Sequence, residues 1–465
     1  MSSTHIIRRQ FLEVELIGTE ADGLAVHRKL ADLSRDWLTP ALEAVLERWV
    51  PADEHWFIDR LDIDAGAFQL EDFERGFVAA VTGAIEQYFR ERRPAVSRAA
   101  TASARRGSGS SGAIERGSAS QVVQEAFLYF LYTGVLPWWF RLPPGTTLED
   151  CITADGRVEH CARALVEARP GTVARKRLVR QFSAEFLRVL LAAVCQQSAS
   201  CVQEVVAKLR MHEIATPTLQ AFSGHVWEAA FARAIAGESG GVETLIAVSL
   251  QAMSSDPQPA ADIARIAQLW PAQGPRSDHA TSAPHASRED SAESVARLDL
   301  AEGVFVDCAG VVLLHPFLPQ LFEALGIAND DRLIEPQRAL SLLHFLVTGQ
   351  RVAPEYELLL PKLLCNVPAD SPVEAAIELT ASDEEEAAAL LAAVIRHWDA
   401  LGDISIDGLR GSFLIRPGKL SRRGDDDVLQ VEARSYDVLL DRLPWGAGPV
   451  QLPWMERLLW VEWRS

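Results

Sequence analysis

The sequence has no apolar run long enough to cross a membrane. Its most apolar stretches, residues 127–140 and 311–322, are shorter than the ~20 residues that a membrane helix needs, and both contain proline. The first ten residues also lack the basic-then-apolar order of a secretion signal, since Arg8 and Arg9 directly follow two isoleucines. We therefore predict no membrane span and no export.

Cysteine is scarce and scattered. None of the six cysteines belongs to a close CxxC pair, so the sequence offers neither a disulfide framework nor a zinc site. The six are Cys151, Cys161, Cys195, Cys201, Cys308 and Cys365. This pattern favours a reducing compartment.

Basic residues are outnumbered by acidic ones. The chain has 45 Lys and Arg against 64 Asp and Glu, which gives a formal charge of −19. Residues 297–465 hold most of the excess, with 15 basic and 27 acidic residues. An acidic surface repels polyanions, so we predict that the protein does not bind nucleic acid.

The standard catalytic motifs are missing. A P-loop needs four residues between its glycines and a hydroxyl after the lysine. Here six residues separate Gly411 from Gly418, and Leu420 follows Lys419. There is also no HExxH, no GxSxG around a plausible nucleophile and no GxGxxG after a strand. We predict that the protein is not an enzyme and holds no cofactor or metal.

Two weaker charged patterns could form binding sites, but each has a simpler structural explanation. Asp59, Asp62 and Asp64 could group as metal ligands, yet the last two are the polar half of an alternating strand pattern. The basic run at residues 175–180 could bind phosphate, yet its apolar members open an amphipathic helix. We favour the structural interpretation of both.

A histidine and two cysteines are the remaining candidates for catalysis. His315 lies in an apolar run, and it could pair with Cys308 or Cys365 to make a nucleophile. A buried cysteine is more often a small core residue, however, and nothing in the sequence indicates a lowered thiol pKa. We again favour the structural interpretation.

Composition divides the chain into three structured blocks joined by two linkers. The chain of 465 residues is long enough for about three domains. An N-terminal block spans residues 1–93, a flexible Gly/Ser/Ala-rich linker 94–120, a second block 121–270, a Pro/Ser-rich linker 271–296, and a C-terminal block 297–465.

Hydrophobic periodicity predicts an α+β protein that is predominantly helical. The first block shows a strand pattern at residues 12–16, helical spacing within 22–49, a second strand at 58–66 and a helical repeat at 73–89, which together make a small β-α-β-α module. The second block is helical throughout. One predicted helix face includes Leu178, Phe182, Phe186, Leu190 and Val194.

The C-terminal block mixes helices and strands. Short helices are predicted at its start, followed by a longer one over residues 384–401 with a capping box formed by Ser382 and Glu385. Residues 412–416 and 428–434 then have the pattern of a β-hairpin, and 458–463 that of a final strand. This module is therefore a mixed α/β unit.

Tryptophan is concentrated near the C-terminus. Four of the twelve tryptophans lie within nineteen residues: Trp445, Trp454, Trp460 and Trp463. The first two follow a Leu-Pro pair, and Leu136-Pro137 precedes Trp138 and Trp139 in the same way. A tryptophan held by a proline turn suits either core packing or partner recognition, so all six are candidate structural or contact residues.

The ordered series of motifs resembles the contractile injection system tape measure protein family. In the first two blocks the resemblance is carried by residues 11–15, 58–66 and 128–139. The motifs of the C-terminal block lie at residues 309–319, 342–349, 362–365, 397–398, 409–410, 413–416, 436–440, 443–445, 452–454 and 461–463. Asn366 stands where the family usually has glycine, and asparagine tolerates the left-handed conformation that glycine would supply.

The resemblance implies an assembly component of a phage-tail-like contractile injection particle, without catalytic residues, that sets the length of the inner tube. The alternative is an assembly chaperone or scaffold of the same apparatus. Either protein would bind inner tube, baseplate or other particle components, and would be cytoplasmic during assembly or incorporated into the released particle. A single helix of this length would extend about 700 Å, but the 24 prolines and 29 glycines forbid one continuous helix.

Overall fold

The structure, a computed structural model, describes most of residues 114–270 and 298–463. The gaps in these ranges are residues 144, 213–215, 239–240, 254–259, 299, 302 and 425. N-terminal to them it describes residues 5, 7, 10–16, 19, 26, 29–30, 33–50, 54–58, 61–69 and 73–91. Residues 94–113 of the first predicted linker and the whole of the second lie outside the described residues.

Contacts divide the chain into two compact units, Met1–Glu125 and Ala126–Ser465. The second unit contains both of the blocks that composition separates at residues 271–296. Residues 114–120, which composition assigns to the first linker, form regular structure. The finer domain boundaries stay a prediction.

The first unit packs two helices against a pair of short antiparallel strands that are far apart in the sequence. Its elements are a π-helical turn at Leu33–Leu38, helix α1 at Thr39–Trp49, strand β1 at Glu54–Ile58, helix α2 at Phe73–Glu91, strand β2 at Ile114–Ser118 and the start of helix α3, Ala119–Thr133. Helix α2 buries Phe77, Val81, Ile85 and Phe89, one residue from each turn. The helical periodicity of this block is confirmed.

The first predicted strand, at residues 12–16, is wrong. Residues 10–16 are not part of a strand, because their alternating side chains are not covered: Val14 and Leu16 are 38% and 40% exposed. The second predicted strand, residues 58–66, is also misplaced: the strand is β1, Glu54–Ile58, and residues 61–66 have no regular secondary structure. Strand β1 pairs antiparallel with β2, from Glu54 opposite Ser118 to Ile58 opposite Ile114. Periodicity does not identify a strand's partner, and here the partner comes from the predicted linker.

The helical second block is confirmed. After α3 come α4 at Leu148–Thr153, α5 at Val158–Ala168, α6 at Thr172–Gln181, α7 at Ala184–Val194, α8 at Gln196–Arg210, α9 at Thr216–Ala236, α10 at Val242–Met253 and α11 at Ala260–Gln268. The predicted face from Leu178 to Val194 belongs to two helices, because the Ser183 side chain accepts a hydrogen bond from the Phe186 N–H and starts α7.

The C-terminal block surrounds a large apolar core with short helices, a four-stranded sheet and a two-stranded sheet. Its elements are β3 at Val304–Val306, α12 at Leu318–Ala324, β4 at Ala328–Asn329, β5 at Arg332–Leu333, α13 at Pro336–Thr348, α14 at Leu359–Leu364, α15 at Ala381–His397, α16 at Ile406–Leu409, β6 at Gly418–Arg423, β7 at Asp426–Val431 and β8 at Leu459–Trp463. The α+β, predominantly helical fold class is confirmed.

The main sheet has the strand order β3-β6-β7-β8. Strands β6 and β7 form a hairpin in the predicted region, but the first predicted strand, residues 412–416, is wrong: residues 410–414 form a π-helical turn, and β6 begins only at Gly418. Strand β8 is the predicted final strand, and it runs parallel to β7. Because β8 comes last in the strand order, it is an edge strand of this sheet.

Two local details of this block bear on the sequence predictions. The capping box of α15 is formed by Thr380 and Asp383, two residues before the predicted pair, so the helix starts earlier. Asn366 adopts the left-handed conformation, with a φ of 51°. This agrees with the expectation for a position where the family usually has glycine.

Candidate functional site: tryptophan anchors and an exposed sheet edge

Two Leu-Pro-Trp motifs of the C-terminal block form tight turns. The Gly446 N–H donates to the Leu443 carbonyl at 3.3 Å, and the Met455 N–H donates to the Leu452 carbonyl at 2.9 Å. Proline fixes the second position of each turn, which places the following tryptophan at the third. Each turn therefore holds its tryptophan side chain on a conformationally restricted backbone.

These turns anchor Trp445 and Trp454 in the core. The Trp454 indole N–H donates to the Leu364 carbonyl at 2.8 Å, and the ring stacks on Phe322 with centroids 5.4 Å apart. The Trp445 indole N–H donates to the Leu313 carbonyl at 3.0 Å, and its ring meets Phe317 edge to face. Both tryptophans join distant segments, because each contributes apolar area and one directed hydrogen bond.

Trp398, which was not among the candidate residues, is a third anchor. Its side chain is fully buried, its indole N–H donates to the Leu439 carbonyl at 3.1 Å, and its ring lies 4.7 Å from that of Phe413. It follows directly after α15. The signal in the sequence was the resemblance at residues 397–398, which does not separate a buried from an exposed tryptophan.

Trp463 packs against a buried ion pair. The Arg416 guanidinium lies 5.3 Å from the Trp463 ring centroid and 5.5 Å from that of Tyr436, and it holds the Asp437 carboxylate with two bonds of 2.7 and 2.9 Å. Arg416 and Asp437 are each 1% exposed. Trp463 therefore covers a charge pair and has a structural role.

Trp460 differs from these tryptophans because it faces solvent. It is 45% exposed, on strand β8 between the buried Leu459 and the half-buried Val461. Its neighbour across the strand pair is Val428, and Glu462 lies on the same face. Of the six candidate tryptophans, this is the one whose surface is most available to a partner.

Trp138 and Trp139 are half-buried in the turn that follows α3. The Phe140 N–H donates to the Pro137 carbonyl at 2.9 Å and closes this turn, and the rings of Trp139 and Phe140 meet edge to face. The structure therefore does not bring these two tryptophans into the same apolar core as Trp445, Trp454 and Trp463.

A buried charge cluster joins the helical block to the C-terminal block. The Glu355 carboxylate lies 3.0 Å from Nε of Arg177 and 2.6 Å from Nζ of Lys362, and all three side chains are essentially inaccessible to solvent. Lys362 also donates to the carbonyls of Ala369 and Ser371, at 3.0 and 2.8 Å. Sequence reasoning missed this cluster, because its members lie far apart in the chain.

The basic run at residues 175–180 is used within the protein. Arg177 donates to the Asp370 carbonyl at 2.6 Å, and Arg180 donates to the Pro372 carbonyl at 3.0 Å and lies 3.1 Å from a Glu374 carboxylate oxygen. The segment from Asp370 to Glu374 is thereby fastened along α6. These arginines bind backbone and carboxylate groups of this chain instead of an external phosphate.

The candidate nucleophiles are poorly suited to that role. Burial raises the pKa of the Cys308 and Cys365 thiols, so very little thiolate exists near neutral pH. Burial also lowers the pKa of His315, whose Nδ1 lies 2.9 Å from the Val312 carbonyl oxygen of the preceding turn. Both observations favour the structural interpretation of these residues.

The aspartates proposed as possible metal ligands do not form a cluster in the described residues. Asp62 and Asp64 are exposed, and Asp64 accepts a hydrogen bond from the Gly66 N–H at 2.9 Å, as in a turn. Asp59 lies outside the described residues. In the part of the chain that the structure describes, no group of three or more Asp, Glu, His or Cys side chains could hold a metal ion.

Among the helices of the described residues, none is both long and apolar enough to span a membrane. The longest, α9, has 21 residues and contains Glu228 and Arg233.

The fold is that of an α+β protein whose tryptophans anchor a C-terminal core and leave one indole exposed on the edge strand β8. The chain belongs to the contractile injection system tape measure protein family, because the sequence model of this family matches residues 4–463. This match covers nearly the whole chain and confirms the resemblance found in the sequence. Neither the curated proteins nor the solved structures include a significant match.

Family membership makes the protein a structural component of contractile injection systems. A structural component of such a particle interacts with other components of that particle. Trp460, with 45% of its surface exposed, stays a candidate contact residue on strand β8.

Proposed function

We propose that this protein is a non-enzymatic assembly component of a contractile injection particle and that it sets the length of the inner tube. The observation that carries the proposal is the family match over residues 4–463. Its site of action is the cytoplasm during assembly, with incorporation into the released particle. Inner tube and baseplate proteins are the proposed partners.

Helix lengths restrict how such a protein could measure a tube. The longest described helix, α9, has 21 residues, which corresponds to about 32 Å. An extended segment of the length of residues 271–296 spans at most about 90 Å. A length-setting mechanism would therefore depend on extended linkers or on several copies, and not on one continuous helix.

The buried cluster of Arg177, Glu355 and Lys362 favours a second candidate, an assembly scaffold or chaperone. These contacts join the helical block to the C-terminal block in one arrangement, because a shift of either block that kept the cluster buried would leave a charge without its partner. A unit held in this way suits a shape-specific scaffold that binds tube, baseplate or cargo.

Changing the linker length separates the two functions. In particle-producing cells, residues 271–296 are duplicated, and tube lengths are measured by electron microscopy beside a deletion of the gene. Length control predicts longer, uniform tubes from the duplication and tubes of variable length from the deletion. Uniform tubes of unchanged length in both strains would exclude length control.

The composition of finished particles tests the scaffold directly. Mature purified particles are analysed by mass spectrometry for peptides of this chain. A tape measure that remains in the tube predicts the protein at a fixed number of copies per particle. Its absence from mature particles, together with a lower particle yield in the deletion strain, would favour the scaffold.

A further inference from the structure

The outer edge of strand β8 carries backbone groups that no described strand pairs with. The N–H and C=O of Leu459 point away from β7, because they bond to the carbonyl and amide of Val450 at 3.0 and 2.8 Å. Backbone groups alternate along a strand, so those of Val461 and Trp463 point the same way. No strand among the described residues pairs with them.

The opposite edge of the same sheet is better protected. Strand β3 has only three residues, and the Arg141 guanidinium covers the Phe305 ring at 5.5 Å. Short strands and overlying charged side chains are common ways to block edge pairing. Strand β8 has five residues and contains neither proline nor lysine, so its edge is the more open of the two.

The two faces of β8 have different chemistry. Val461 and Trp463 lie on the face that packs against the core. Trp460 and Glu462 lie on the opposite face, where Glu462 accepts hydrogen bonds from Arg423 at 3.1 Å and from Gln430 at 2.8 Å. A strand added at this edge would thus meet apolar groups on one face and a carboxylate beside an indole on the other.

Charge argues against a second copy of this chain as the added strand. A symmetric antiparallel pair of β8 strands that used the free groups of Val461 and Trp463 would place Glu462 directly opposite Glu462 of the second copy. Like charges directly opposite each other in a sheet are destabilising. A strand with lysine or arginine at that position would instead form an ion pair and would lie diagonal to the Trp460 ring.

We propose that the outer edge of β8 binds an extended segment of another particle component, adding a strand whose basic residue faces Glu462 and whose flanking residues are apolar. The apolar residues would lie beside Val461 and Trp463, and the basic residue between Glu462 and Trp460. The excess of acidic residues over residues 297–465 agrees with a cationic partner. The identity of the partner as a particle component rests on the proposed function.

Short strand peptides test this site in the full chain. The probe is the fluorescently labelled peptide Thr-Val-Lys-Val-Thr, blocked at both ends and titrated by fluorescence anisotropy. The comparison peptides carry glutamate in place of lysine, or N-methyl groups on the two valines. The protein variants are Glu462→Lys, Trp460→Ala and Val461→Pro, with Ile334→Thr as a control for an exposed apolar residue outside this sheet.

The expected result is a preference of about tenfold for the lysine peptide over the glutamate peptide. Glu462→Lys should reverse the preference, and Trp460→Ala should weaken binding. N-methylation should abolish binding, because it removes backbone donors. Ile334→Thr should bind like the wild-type protein. Hydrogen exchange should slow at Val461 and Trp463 when the lysine peptide is bound.

Several results would overturn the proposal. Equal affinity for the lysine and glutamate peptides would show that Glu462 does not select the ligand. Equal affinity for the lysine peptide and its N-methylated form would show that the peptide does not bind as an added strand. A wild-type dimer in sedimentation analysis that Val461→Pro converts to a monomer would make a second copy the occupant. These measurements need no particles, so a failure here is distinct from a failure of tube-length control.

Discussion

The Lys362 ammonium donates to the Glu355 carboxylate at 2.6 Å, and neither side chain reaches solvent. Burial lowers the pKa of Lys362 while the nearby carboxylate of Glu355 raises it, and burial is the larger effect. The ammonium also holds the Ala369 and Ser371 carbonyls. Lys362 thus organises the segment that lies along α6.

Removing this cation should destabilise the second unit strongly. Lys362→Met leaves the buried Glu355 carboxylate with one cation fewer, and we expect a loss of about 3–5 kcal/mol in the free energy of unfolding. Arg351→Met is the matched control, because Arg351 makes an ion pair of the same 2.6 Å length with Glu384 but is 69% exposed. The control should change stability by about 0–1 kcal/mol.

Urea unfolding followed by circular dichroism gives both values. If Lys362→Met lowers the free energy of unfolding no more than Arg351→Met does, the buried ion pair contributes no more to stability than the exposed one. The double variant Glu355→Gln/Lys362→Met should lose less than the sum of its single variants, because Glu355→Gln removes the carboxylate that Lys362→Met leaves short of a cation, although Arg177 stays buried in both.

The same charge cluster requires glycine at position 134, where there is no room for a side chain. Its φ is +77°, and an added Cβ would lie 2.6 Å from a carboxylate oxygen of Glu355. Gly145 has a similar φ of +74° but no atom within 4 Å of its added Cβ. Gly145→Ala should cost about 1–2 kcal/mol for the left-handed backbone alone, and Gly134→Ala should cost clearly more.

Thermal unfolding of the two alanine variants measures this difference directly. The comparison cancels the shared backbone conformation, so the excess loss in Gly134→Ala reports the displacement of Glu355. Equal melting temperatures for the two variants would mean that the cluster accommodates a methyl group without cost.

The ionisation of Asp383 should make the free energy of unfolding depend on pH in the acid range. Burial raises the pKa of this carboxyl, but hydrogen bonds from Arg338 and Thr380 outweigh burial and hold the pKa below its usual value of 3.8. The stabilisation is therefore complete above about pH 3.8 and is lost as pH falls through the lower, folded-state pKa. Asp383→Asn should lose about 1.5–3 kcal/mol near neutral pH.

Urea unfolding over a pH series tests this sign. The stability difference between wild type and Asp383→Asn should shrink as pH falls below 3.8. Glu385→Gln is the control, since Glu385 is exposed on the same helix. A difference that stays constant over the acid range would contradict the assignment of the effect to ionised Asp383.

Trp454 and Trp460 should separate stability from partner binding. Trp454→Ala removes a ring that stacks on Phe322 and a donor to the Leu364 carbonyl, so we expect a loss of about 3–5 kcal/mol in the free energy of unfolding. Trp460→Ala should change it by less than about 0.5 kcal/mol. Particle yield should nevertheless fall in cells that carry Trp460→Ala.

Denaturant unfolding and particle counting by electron microscopy measure the two effects. The proposed contact predicts a stable Trp460→Ala protein with impaired assembly, whereas Trp454→Ala lowers yield through loss of the folded protein. A normal particle yield with Trp460→Ala would remove this indole from the contact surface.

Much of the local structure could be predicted because burial on one face leaves a pattern in the sequence. Helix α2 follows the four-residue spacing of Phe77, Val81, Ile85 and Phe89. A hairpin before the final strand was also predicted, but its first strand was placed at residues 412–416, which share no residue with β6. Residues 10–16 show the limit of this approach, since their alternation would fit a strand but the structure leaves most of their apolar side chains exposed.

The sequence by itself determined the acidic charge, the helical blocks, the proline turns before the tryptophans and the motifs that place the chain in its family. Only the tertiary structure decided that Trp398 and Trp454 are core residues and that Trp460 is exposed. It also decided that Arg177 meets Glu355. The physical reason is that periodicity reports whether a side chain is covered, while the identity of the covering group depends on contacts between distant segments.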